Sequence, residues 1–178
     1  MEKMRITSPA FFCIGADKLA VNLLGKTLAL NVDGSEQRYL IAETECYMGV
    51  EDTGCHASRG KTPKTSALWQ RGGKLYVHLI YGLHYMLNIV AGLEDEPMGV
   101  LIRGVKGIVG PGRVTKTLNI GKDFNREDLL TSERIWIEET NITPKYDCFP
   151  RVGIGYADKI DRERLWRFCA YEYLPDNF

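Results

Sequence analysis

Residues 74–91, KLYVHLIYGLHYMLNIVA, constrain the fold more than any other stretch of this chain. Tyrosine, valine, isoleucine and leucine fill both halves, and a single glycine, Gly82, breaks the run near its middle. Such side chains suit a pleated surface, and the break is too short for a crossover, so the two halves read as an antiparallel hairpin. A second hairpin follows from TLALNVDG and QRYLIAETECY, which meet at Asp33-Gly34, a dipeptide suited to a tight turn. MGVLIRGVKGI, RVGIGYA and WRFCAYEY read as further strands, and REDLLTSERIWIEE combines a short helix with a strand. Apolar residues fall at helical spacing in GADKLAVNLLGKTL, with Ser8-Pro9 as the start signal and Gly25 as the stop. GPGRVTKTLNI turns helical after its glycines, and SRGKTPKTSALWQRGG reads as a long loop. Strands adjoin strands and helices sit at the ends. That pattern predicts an α+β fold, one domain over 1–178 with a mainly antiparallel sheet.

The 178 residues suffice for one core, and the hydrophobic fraction of 44% is that of an ordinary globular chain. No apolar run approaches the length of a bilayer span, and MEKMRITSPAFF lacks a signal-peptide layout. The expectation is a cytoplasmic protein with no membrane partner. Five scattered cysteines argue for reduced, mostly buried thiols rather than a disulfide framework, and none has zinc-site spacing. Net charge is zero, but its distribution is uneven. Between Thr53 and Lys122 ten basic residues face three acids, an excess of seven positive charges that the rest of the chain cancels. Such asymmetry allows a basic face toward a polyanion; it equally allows charges that mix on a solvated surface.

Four carboxylates and a histidine crowd into IAETECYMGVEDTGCHASRG. On a strand Glu43, Glu45 and Tyr47 share one face. Two carboxylates beside a phenol can bind a divalent ion, or one can activate water as a general base, or they form a polar edge with no chemistry. His56 follows in a glycine-flanked loop. Tyr81, at the tip of the 74–91 hairpin, is either a turn aromatic or a wedge that unstacks a duplex. His78, on the strand before it, is a candidate to line a pocket. Arg103, after the apolar run GVLI, and Arg113, at a helix start with Gly-Pro-Gly where free N–H groups favour anions, suit phosphate or base contacts, although a Gly-Pro-Gly turn is more often just a turn.

Together these fragments resemble a family. AETECY.G.ED...H.SRG.TP, then YV..IYG....LN, VLIR and GPG....LNI, are similar to the alkyladenine (3-methyladenine) DNA glycosylases of the mammalian type. The likeness runs from the FF near residue 11 through RVGIGYA. It implies a curved antiparallel sheet with a protruding hairpin, no metal or organic cofactor, and excision of alkylated purines from double-stranded DNA by a monomer, in the nucleoid of a bacterium or the nucleus of a eukaryote. Glu45 then matches the water-activating acid, and Arg103 an arginine supporting the water and the nearby backbone. Tyr47 and His56 match the residues that sandwich the flipped base, and Asn88 the amide that hinders guanine. Tyr81 matches the wedge, with Arg59, Lys61 and Arg113 as further DNA contacts. No lysine falls within the matched pocket motif, which implies hydrolysis without a lyase step.

At His78 the family usually carries a tyrosine. An imidazole titrating near neutrality would repel a cationic alkylpurine once protonated. His78 and Asn88 share a pocket only if the hairpin has an odd-length loop or a bulge, since a two-residue Gly82-Leu83 turn would put them on opposite faces. Two other readings stay open: a metal-dependent nuclease built on Glu43, Glu45, Glu51 and Asp52, and a nucleic-acid binder without catalysis.

Overall fold

The computed structural model describes residues 4–175; residues 1–3 and 176–178, at the two ends of the expected domain, lie outside it. The strands are β1 (Thr27–Val32), β2 (Ser35–Tyr47), β3 (Leu75–Ile80), β4 (His84–Ala91), β5 (Met98–Val105), β6 (Ile108–Val109), β7 (Ile135–Glu138), β8 (Asp147–Phe149) and β9 (Arg167–Cys169). Three short helices accompany them: α1 (Ala16–Leu23), α2 (Pro111–Thr117) and α3 (Lys159–Glu163). The strands form one curled sheet in the order β3-β4-β5-β2-β1-β7, with β6 on β5, β9 on β2 and β8 on β9. Every pairing is antiparallel, as an α+β domain of adjoining strands requires.

β2 turns the corner of this sheet. Its first half, 35–40, pairs with β1; its second half lies between β5 on one edge and β9 on the other. Between the halves the β2–β5 register slips at Ile41/Glu43 and again at Glu43/Thr44. A bulge of this kind adds a residue to one strand and bends it. Ile41 and Cys46 join the main core, and the Thr44 hydroxyl donates to the Ala20 carbonyl of α1. Ala42 packs instead with Cys169 and Leu174, and Glu43 reaches Arg103 and Arg167. Two successive residues, Ala42 and Glu43, therefore leave the core face together. From there alternation resumes with Glu45 and Tyr47 turned away from the helices.

The helices cover the other face. Ala16, Leu19, Ala20 and Leu23 form the buried stripe of α1, and Val114 of α2 with Leu118 just after it packs into the same cluster. Gly25, at φ 79°, ends the α1 segment and passes its N–H to the Ile41 carbonyl. The Asp33-Gly34 turn has both residues at positive φ (50° and 82°), as a two-residue hairpin loop demands. The β3–β4 hairpin has a three-residue loop, Tyr81-Gly82-Leu83, with Ile80 opposite His84. Tyr81 itself lies at φ 53°. The register sets Tyr76 opposite Asn88 and His78 opposite Met86, so His78 and Asn88 share a face.

Four segments differ from expectation. Ser8-Pro9 opens a 3-10 turn, Pro9–Phe11, and the helix begins only at Ala16, because Phe12 is drawn fully into the core between them. REDLL is not helical: Asn125 accepts the Val77 N–H and Asp128 takes Arg71 and Lys74, which ties the segment to β3 as a loop. RVGIGYA is a loop, not a strand, with Arg151 buried in an ion pair and Gly153 at φ 81°. WRFCAYEY is strand only over Arg167–Cys169 and closes in a 3-10 turn, Tyr171–Tyr173. All five cysteines are free thiols. No helix among the described residues is long and apolar enough to cross a membrane.

Gly72 tests the packing of Phe12. A Cβ there would lie 2.3 Å from the Phe12 carbonyl oxygen, a backbone atom that cannot swing aside. Gly72→Ala should cost roughly 1–3 kcal/mol by overpacking. Gly155→Ala, with nothing within 4 Å of the added carbon, should stay within about 0.5 kcal/mol. Urea midpoints of the two variants check this; equal midpoints would show that the Phe12 segment yields freely.

Candidate active site

On the sheet face away from α1 a cavity of about 500 Å³ opens, the size of a small-molecule site. β2 contributes Tyr47, β3 Tyr76 and His78, β4 Met86 and Asn88, and β5 Leu101 and Arg103. The loop after β2 adds His56, and the loop after β8 adds Val152 and Tyr156. Tyr81 stands at the mouth, 88% exposed.

Glu45 lies directly behind this wall, 0% exposed. Its Oε1 accepts the Val152 N–H at 2.7 Å and its Oε2 accepts the Tyr47 hydroxyl at 2.9 Å. The Arg103 Nε is 3.5 Å from Oε1. Burial pushes the Glu45 carboxyl above its ordinary range; Arg103, the Val152 N–H and the Tyr47 hydroxyl oppose that rise. Glu43, also fully buried, accepts from Arg103 at 3.1 Å and from Arg167 of β9 at 3.0 Å. The other carboxylates of the stretch lie apart: Glu51 is exposed, and Asp52 is locked to Arg151. The four do not converge on one point, which removes the arrangement a metal-dependent nuclease needs.

The opposite wall is a stack of rings. His78 lies on Tyr76, centroids 4.7 Å apart and planes at 24°, and His56 meets His78 edge-on at 4.6 Å. His56 Nδ1 is 3.0 Å from the Tyr76 hydroxyl. Burial first, then Lys64 and Arg59, lower the His56 pKa. Burial, His56 and Lys64 push His78 down to about 3. The expectation that His78 titrates near neutrality is thus overturned: its enclosure beside a second imidazole and a lysine keeps it neutral. The Asn88 amide nitrogen faces the Tyr76 carbonyl at 3.2 Å and the Met86 carbonyl at 3.4 Å, which fixes the amide with its oxygen turned the other way.

The structure therefore gathers Glu45, Tyr47, His56, His78, Asn88 and Arg103 around one cavity, with Tyr81 at its mouth. The cationic residues are less uniform. Arg59 is exposed and lies over the Tyr156 ring at 5.9 Å. Arg113 is exposed on α2, whose Pro111 reaches the cavity, but that helix has only seven residues and His84 packs against Gly112 at its start. Lys61 is apart from the wall, paired with Asp95 and set over Trp69. Of the ten basic residues in the Thr53–Lys122 segment, Arg71, Lys74 and Arg103 are spent on internal ion pairs. Five side chains escaped sequence reasoning: Lys64, Tyr76, Arg151, Val152 and Arg167. Tyr76 alone had a local signal, since on β3 it shares the His78 face.

The elements that build this cavity lie within a stretch that matches a known family. The family described as methylpurine-DNA glycosylase matches residues 10–109 and 106–173. A protein of Borreliella burgdorferi (strain ZS7) is 39% identical over 180 residues, covering 94% of this chain and 95% of its own. One of Wolbachia pipientis wMel is 40% identical over 169 residues, covering 88% and 89%. One of Sodalis glossinidius is 39% identical over 170 residues, covering 92% and 95%. Each bears the name "Putative 3-methyladenine DNA glycosylase".

The buried His78 has a thermodynamic signature. Its folded pKa lies below the unfolded value near 6.5, so it opposes the native state wherever the unfolded chain takes up its proton. Stability should fall as pH drops from 6.5 toward 3, by up to ~1.4 kcal/mol per unit from this group. His78→Phe should lose less on acidification to pH 4.5. Parallel urea titrations check this; identical pH dependence would mean His78 protonates freely in the fold.

Proposed function

Because the chain belongs to the methylpurine-DNA glycosylase family, we propose that it is a monofunctional DNA-3-methyladenine glycosylase that excises alkylated purines from duplex DNA. The observation that carries this reading is Glu45, fully buried behind an aromatic cavity with Arg103, a backbone N–H and a phenol arrayed on it. Likeness to the mammalian enzymes rests on the pocket motif; the relatives named above are bacterial. The site of action is the DNA itself, in the nucleoid or the nucleus, and the acting unit is the monomer.

Reaching the glycosidic bond requires the nucleotide to leave the stack, at a cost of a few kcal/mol that is lower for a damaged base. Tyr81, on the exposed hairpin tip, fills the gap. The extruded purine slides between Tyr47 and the His56–His78 wall. Aromatic faces attract a cationic alkylpurine, and a neutral His78 adds no repulsion. If the Tyr76 hydroxyl donates to His56 Nδ1, Nε2 carries the proton and offers a donor to the base. Asn88 sets the limit on substituents at its edge.

In the chemical step the C1′–N9 bond breaks and its electron pair leaves with the purine, which departs neutral if it was cationic. Water adds to C1′ and gives its proton to Glu45. The carboxylate keeps lone pairs for that water beyond those used by Val152 and Tyr47. Burial raises its proton affinity, which makes it a better base, while Arg103, the Val152 N–H and the Tyr47 hydroxyl favour the carboxylate form.

Methylated duplex incubated with the protein and EDTA should yield free 3-methyladenine and intact strands carrying abasic sites. Glu45→Gln should lower the single-turnover rate by roughly 100-fold or more while lesion binding persists. Strand breaks abolished by EDTA, or a near-normal rate for Glu45→Gln, would refute the mechanism.

Phosphate contacts should make binding salt-dependent despite the zero net charge. Arg59, Lys64, Lys106, Arg113, Lys116 and Lys122 form no ion pair among the described residues and remain for that role. Each contact should contribute about −0.9 to the log–log salt slope. Arg113→Ala should reduce the slope by about that amount, and an unchanged slope would remove α2 from the DNA interface.

A further inference from the structure

Arg151 and Asp52 line no part of the cavity, yet three of its walls hang on them. The pair is enclosed, with side-chain exposure of 0% and 1%. Arg151 donates through Nη1 to Asp52 Oδ2 at 2.6 Å and to the Cys46 carbonyl at 3.1 Å. Through Nη2 it donates to Asp52 Oδ1 at 2.8 Å and to the Asp161 carbonyl at 3.3 Å. Its guanidinium carbon lies over the Tyr47 ring at 4.8 Å and over the Trp166 ring at 4.9 Å. Asp52 in turn accepts the Met48 and Gly54 N–H groups at 3.0 and 2.9 Å, which closes the loop that leads from β2 to His56.

We propose that the Arg151–Asp52 pair is the positioning unit of this site, holding the Val152 N–H against Glu45, the Tyr47 ring against the base, and the 48–56 loop that carries His56. The catalytic consequence rests on the glycosylase reading above; the coupling to Glu45 is geometric and stands apart from it. Val152 follows Arg151 in the chain, so any drift of the guanidinium carries the N–H off the carboxylate. A buried ion pair is a weak source of net stability, since apolar side chains of similar volume often replace it without loss. What apolar side chains cannot do is direct four hydrogen bonds from one planar group. Lysine cannot do so either: it keeps the charge but lacks both the fork and the flat face that stacks on rings.

The direction of the effect follows from the groups that face Glu45. These are Glu43 on the same strand, Arg103 of β5, the Tyr47 hydroxyl and the Val152 N–H, with Arg167 of β9 acting through Glu43. Loss of the N–H removes one group that favours the carboxylate, so Glu45 should titrate at higher pH and the acid limb of the rate profile should move up with it.

The test uses the full chain as Arg151→Lys and as the double variant Arg151→Met with Asp52→Asn, which leaves no unpaired buried charge. The Glu45 carboxyl is titrated by carbon NMR, and single-turnover release of 3-methyladenine from methylated duplex is followed from pH 5 to 8. Expected are a Glu45 titration displaced to higher pH in both variants and a release rate lower by roughly 100-fold near neutrality. If a folded variant titrates Glu45 as the native protein does, the pair is only structural and the inference fails. If the titration moves while the native protein releases no base, the positioning stands and the glycosylase reading falls.

Discussion

Two carboxylates, Glu43 and Glu45, are stripped of water on one face of one strand, and the architecture around them answers that cost. Two buried acids 2 residues apart repel each other and strongly favour protonation unless cations reach them. β5 brings Arg103 to both, and β9 brings Arg167 to Glu43 from the opposite edge of β2. A strand in the interior of a sheet is the one place where partners can arrive from both edges. The loop after β8 then adds a backbone N–H to Glu45 alone. The two acids thereby differ: Glu43 receives both arginines on its Oε1 and ties them to β2, whereas Glu45 is held on both oxygens by a backbone N–H and a phenol beside the cavity.

The bulge in β2 makes this possible. With unbroken alternation from Ile41, Glu43 and Glu45 would lie with Ile41 on the face that α1 covers, among Leu19, Ala20 and Leu23. The register slips at 41–44 turn them to the open face and bend the sheet at the same point. Curvature and placement of the acid thus have one origin.

Much of this was legible in residue order. The arms of both hairpins, the Asp33-Gly34 turn, the α1 stripe and the common face of Glu43, Glu45 and Tyr47 all follow from periods of 2 and 3.6 and from turn chemistry. Hidden were the features set by distant partners. RVGIGYA has the β-branched and aromatic content of a strand, but Arg151 is claimed by Asp52, 99 residues earlier, and the segment is held as a loop. The lowered pKa of His78 comes first from burial in a pocket closed by distant segments, then from His56 and Lys64 arriving from another loop. The positive excess of the central segment overstated its reach toward phosphates, because Arg71, Lys74 and Arg103 turn inward to acids that no local pattern pairs with them.

The left-handed backbone at Tyr81 narrows what can stand at the hairpin tip. A side chain branched at Cβ is a severe outlier at positive φ. Valine and isoleucine, otherwise compact apolar plugs, are therefore unsuited to the position before Gly82. The backbone torsion thus restricts which side chains the hairpin can present at its exposed tip.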